Sequence, residues 1–104
     1  MAKMRPMLNR ERILESLDVH KSALRRLGVK RLGLFGSYAE NRARPGSDLD
    51  FVVEFKKKSF DAYMELKLLL EDVFRKKVDL VLTDAIKPRL RHNILAQARY
   101  GPRL

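Results

Sequence analysis

Residues Leu34 to Val53 read LFGSYAENRARPGSDLDFVV. An apolar run leads into Gly36-Ser37, ten residues intervene, and Asp48 and Asp50 then stand among Leu49, Phe51, Val52 and Val53. A strand that only filled a core would not carry Asp at alternate positions, because Asp is depleted in strands and costly to bury without a partner. The stretch predicts one strand delivered to a turn and a second strand whose carboxylates answer to something cationic.

The flanking segments extend that pattern in both directions. Upstream, NRERILESLDVHKSALRRLG spaces Ile13, Leu14, Leu17, Leu24 and Leu27 helically, with an interruption expected near Asp18 and Gly28 as the stop. VKRLGLF is then a strand that ends at Gly36-Ser37. SDLDFVVEF alternates, with Leu49, Phe51, Val53 and Phe55 on one face and Asp48, Asp50, Val52 and Glu54 on the other. SFDAYMELKLLLEDVFRKK is an amphipathic helix with Ser59 as N-cap and basic residues at its C-terminal end. VDLVL is a third strand, and IKPRLRHNILAQARY a last helix with Pro88 in its first turn. Helix, strand, short helix, strand, helix, strand, helix is the order of an α/β (α+β) domain with a small sheet.

Bulk properties bound the function. A chain of 104 residues with 45% hydrophobic content supports one domain, residues 1–104, with its own core. It has no cysteine, which removes disulfides, thiolate metal sites and cysteine nucleophiles together. No apolar run approaches the roughly 18 residues of a membrane span, and MAKMRPMLNR lacks the apolar core of a secretory signal. A cytoplasmic protein with no membrane partner is expected. The net charge of +10 favours polyanions such as nucleotides, nucleic acid or an acidic protein. Charge alone does not choose among them; no helix-turn-helix pattern and no aromatic stacking platform point to specific nucleic-acid binding.

The chemistry lies in the carboxylates. Side chains two apart on a strand share a face and stand roughly 6.6 Å apart at the backbone, so Asp48 and Asp50 converge. Two such carboxylates repel unless a divalent cation lies between them. Paired magnesium ions sit about 3.5 to 4 Å apart in phosphoryl-transfer sites, a span that strand carboxylates can bridge. Asp79, on the strand VDLVL, offers a third ligand. Gly36-Ser37 supplies the other half, since a glycine at a helix start lets a phosphate approach unpaired backbone N–H groups. SYAE is also a capping box, with Ser37 as N-cap and Glu40 three residues on, so Ser37 has a purely structural reading as well. The whole pattern, Gly-Ser, ten residues, Asp-x-Asp, arises by chance on the order of once in a thousand chains of this length.

With those residues in view, the chain resembles the minimal members of the DNA polymerase β-like nucleotidyltransferase superfamily. LGLFGSYA, ARPGSDLDFVVEF, KVDLVLTDAIKPRLR and ILAQA look like the family's segments in order, across nearly the whole chain. The resemblance implies a small mixed β-sheet flanked by helices. It implies that Asp48 and Asp50 bind two magnesium ions and the ATP triphosphate, that Gly36 and Ser37 hold its phosphates, and that Asp79 completes one metal site. It further implies an antitoxin beside a HEPN-domain toxin, silencing it by transferring AMP to a tyrosine. A chain this short is expected to rely on its partner to present the acceptor. The rival expectation is an antitoxin that neutralises by occlusion alone. One departure stands out: family members commonly continue with Arg-Gly where this chain has Glu40-Asn41, leaving Arg42 and Arg44 to compensate.

The remaining residues draw ordinary readings. His20 and His92 are surface or helix-end histidines, Tyr38 packs rather than binds nucleotide, and Glu54 stands at the solvent edge. Met1, Met4 and Met7 read as a frayed terminus or a small contact surface.

Overall fold

Four strands form a mixed sheet in the order β3-β2-β1-β4, with β1 (Val29–Phe35), β2 (Leu49–Phe55), β3 (Val78–Leu82) and β4 (Arg99–Tyr100). The computed structural model describes residues 8–104; the reading of Met1, Met4 and Met7 lies outside the described residues. β1 runs antiparallel to β2 and to β4, whereas β2 and β3 are parallel, joined across one face by α4 (Phe60–Phe74).

The alternation in β2 sets the layers. Leu49, Phe51, Val53 and Phe55 are buried in one cluster with Leu32 and Leu34 of β1, Val78 and Leu80 of β3, and Leu66, Leu70 and Phe74 of α4. Phe51 and Phe74 stack with centroids 6.0 Å apart. Ile13 and Leu17 of α1 (Arg10–Val19) and Leu24 of α2 (Lys21–Arg26) complete that core. Val52, on the opposite face, is also buried, yet outside this cluster. There Ala98 and Tyr100 lie against Gly33, the cross-strand neighbour of Val52, and α5 (Pro88–Gln97) packs on β1.

The upstream helix is interrupted at His20, close to the break expected near Asp18: the backbone turns out of helical geometry there, and the His20 N–H and Nδ1 both return to the Ser16 carbonyl. Two local expectations are corrected. The last helix stops at Gln97, and Arg99–Tyr100 pair with Gly33 and Leu34 as a fourth strand. Gly33 has no side chain there, which leaves room for the Tyr100 ring, and the Arg31 guanidinium lies 4.1 Å above that ring. Ser37 is not an N-cap. The short α3 (Gly36–Ala39) starts from Phe35 without a side-chain cap, and Glu40 bonds Arg42 instead. Ser59 does cap α4, accepting from the Ala62 N–H at 3.0 Å. No helix among the described residues is long and apolar enough to cross a membrane.

Candidate active site

Asp50 is the centre. It lies directly opposite Asp79 in the parallel β2–β3 ladder and opposite Phe35 in the antiparallel β1–β2 ladder, so both neighbours share its face of the sheet. Asp48 precedes β2 by one residue and is exposed, as is Asp79. Like charges directly across a sheet destabilise it. No lysine or arginine among the described residues forms an ion pair with any of the three. Burial, then the Asp79 charge, then the Asp48 charge push Asp50 up from the usual 3.8 to about 6. The sequence expectation that these carboxylates gather is met for Asp50 and Asp79 by register, and Asp48 contributes its field. Among the described residues no three His, Cys, Asp or Glu side chains already stand close enough to hold a metal ion. An all-oxygen donor set suits a hard cation such as magnesium, which keeps part of its own water shell.

Gly36 brings the turn between β1 and α3 onto the same spot. Its φ is +75°, a conformation that only glycine adopts freely, and a Cβ built there would collide with the Asp50 carboxylate and lie 3.0 Å from Asp50 Cγ. The backbone therefore passes directly over the central carboxylate. Ser37 follows, half-buried, with its carbonyl accepting from the Arg42 N–H at 2.8 Å. Tyr38 turns inward and is buried in the core, as expected from packing. Arg10 donates to the Ala39 carbonyl at 3.0 Å and fixes the far end of α3.

The Glu40-Asn41 departure has a structural meaning. Asn41 has φ +55°, the left-handed geometry that a glycine at this point would supply and that asparagine tolerates better than most residues. Arg42 is engaged by Glu40, so one of the two arginines expected to compensate is already paired, while Arg44 forms no ion pair among the described residues. Glu54 pairs with Lys30 at 3.8 Å, clear of the carboxylate centre, as the solvent-edge reading anticipated. Sequence reasoning missed Lys76. Its Nζ donates to the Pro45 carbonyl at 2.9 Å and sits 5.8 Å from the Tyr38 ring centre, a convergence of segments far apart in sequence.

A mixed sheet carrying two in-register carboxylates beneath a glycine turn is the layout of a nucleotidyltransferase. The family model for polymerase beta nucleotidyltransferases matches residues 18–100. Protein adenylyltransferase MntA of Thermococcus cleftensis is 36% identical over 96 residues, 90% of this chain and 97% of that protein. A solved minimal nucleotidyltransferase superposes with a TM-score of 0.79 at 32% identity, over 91% of this chain and 98% of that one. The chain belongs to the polymerase β nucleotidyltransferase family, in its minimal branch, and is a nucleotidyltransferase. Two toxin–antitoxin structures share the fold. One, solved with AMP-PNP, gives a TM-score of 0.67 at 23% identity over 86% of this chain and 73% of that one. The other, a tri-AMPylated Shewanella oneidensis HEPN toxin with its MNT antitoxin, gives 0.61 at 22% over 86% and 73%.

Proposed function

We propose that this chain is a protein adenylyltransferase that moves AMP from ATP to a tyrosine hydroxyl of a HEPN toxin, and is thereby that toxin's antitoxin. The observation that carries the reading is the Asp50–Asp79 register beneath Gly36, a concentration of negative charge that no cation among the described residues offsets. The transferred group is supported by likeness to an adenylyltransferase along nearly its full length, and the kind of partner by the toxin–antitoxin complexes whose antitoxin fold this chain shares.

Asp48, Asp50 and Asp79 would hold two magnesium ions. Those ions supply charge neutralisation of the triphosphate and a lowered pKa for the acceptor hydroxyl. Gly36 leaves the backbone open to phosphate, and Ser37 stands beside it to orient the triphosphate. The acceptor oxygen attacks the α-phosphorus, a new O–P bond forms, the bond to the β-phosphate oxygen breaks, and pyrophosphate leaves. The hydroxyl proton departs on the side of Asp79, the exposed carboxylate. Catalysis is then mostly positioning and electrostatics. A donor of this kind places the reaction in the cytoplasm. Occlusion alone gives no reason for three uncompensated carboxylates.

The test is direct: incubate purified chain, a HEPN partner, labelled ATP and magnesium, then weigh the intact partner. Whole-number additions of one adenylate on tyrosine are expected, with loss of its nuclease activity. Full silencing without added mass would overturn the reading in favour of occlusion.

A further inference from the structure

We propose that Lys76 is a positioning residue that holds the Asp48-bearing loop against the Gly36–Ser37 turn in the geometry that accepts a magnesium–nucleotide. The inference rests on the transferase reading above and names a residue to which that reading assigns no part.

The loop from Glu40 to Ser47 is exposed over most of its length. Its second half is a self-contained turn: Ser47 N–H donates to the Arg44 carbonyl at 2.9 Å, and Arg44 N–H donates to Ser47 Oγ at 3.0 Å. Among the described residues, the hydrogen bond tying this turn to the rest of the molecule comes from Lys76 Nζ to the Pro45 carbonyl. Asp48 follows that turn immediately.

Lys76 is placed for this by its own neighbours. α4 ends at Arg75 in left-handed geometry, φ +54°, which reverses the chain into β3 and turns Lys76 back toward the loop. Next in line, the Lys77 carbonyl accepts from Leu49 N–H at 3.1 Å, pinning the start of β2 just past Asp48. The ammonium group also lies toward the buried Tyr38 ring, one residue beyond Ser37. One side chain thus bonds the carboxylate loop at Pro45 and faces the Tyr38 ring of α3, the short helix that begins at Gly36. An exposed hydrogen bond contributes little to stability. Its effect on placement is larger, since displacing a reacting group by about 1 Å costs on the order of a hundredfold in rate.

Lys76→Met keeps the aliphatic stem and loses the donor, and Lys76→Arg keeps a donor of similar reach. Two readouts are needed: the magnesium concentration for half-maximal ATP binding by calorimetry, and amide exchange over residues 42–48. For Lys76→Met we expect about a tenfold higher magnesium requirement, exchange at least several-fold faster, and a Tm within about 2 °C of the parent. The arginine variant should recover most of both. An unchanged magnesium requirement overturns the proposal, including when exchange quickens, because Lys76 is then a structural staple only. If the parent chain binds no ATP with magnesium, the transferase reading fails instead, and exchange alone decides whether Lys76 holds the loop.

Discussion

Asp50 carries a carboxylate that burial and two like charges make reluctant to ionise. A group whose folded pKa is raised favours folding while protonated, so its contribution is full below 3.8 and is lost as pH rises to about 6. In chelator, stability from this group should fall across that window. Asp50→Asn should abolish the slope and stabilise the metal-free chain at neutral pH by about 1–2 kcal/mol, the nominal shift being discounted for partial exposure to solvent. Denaturant melts at several pH values check both. A magnesium ion held at Asp50, as proposed, would compete with the proton for the same oxygen atoms, so magnesium-dependent ATP binding should weaken as pH drops below about 6. Gly36 is the second residue on which the site turns. Gly36→Ala meets a left-handed backbone and the Asp50 carboxylate together. It should destabilise by about 1–3 kcal/mol and remove ATP binding, whereas glycine-to-alanine at the open Gly46 should do neither.

At the scale of elements, β3 is an outer strand, and α4 guards it. Lys77, which bonds Leu49 of β2, sets the parity of the ladder, so Val78 and Leu80 direct their backbone groups outward. There Glu71 accepts from Val78 N–H at 3.1 Å, and Tyr63 Oη donates to the Leu80 carbonyl at 2.6 Å. Blocking an edge in this way discourages pairing with another chain. Tyr63→Phe should cost about 1 kcal/mol and increase aggregation on heating, measured by calorimetry and light scattering. β2 was legible because Leu49, Phe51, Val53 and Phe55 alternate onto one face, even though Val52 on the other is apolar and buried as well, and Ser59 was legible because its cap is local. β4 was not: two residues have no period, and Arg99–Tyr100 form a strand only because Gly33 leaves room for a ring. Ser37 misled as a cap because SYAE satisfies the local rule while Gly36 starts the helix one residue earlier. Lys76 was illegible for the opposite reason, since its partners Pro45 and Tyr38 are distant in sequence.

The whole chain carries a net charge of +10, while Asp48, Asp50 and Asp79 form no ion pair among the described residues. The positive envelope would draw in ATP and other polyanions, while the carboxylates reject them unless a cation comes too. Nucleic acid should therefore bind only weakly and with a steep salt dependence; nanomolar affinity at physiological salt would contradict this. On the proposed reading, Asp48 and Asp50 would hold the metal that accompanies the nucleotide, and Asp79 would serve chiefly the metal at the acceptor hydroxyl. The most direct measurement compares Asp50→Asn with Asp79→Asn for magnesium–ATP affinity by calorimetry and for AMP transfer by intact-mass spectrometry of the partner. Asp50→Asn should lose binding and transfer together. Asp79→Asn should keep affinity within about a few-fold while transfer falls about a hundredfold or more, the mark of a group that acts mainly in the transition state. Transfer at the parent rate by either variant would contradict the assignment.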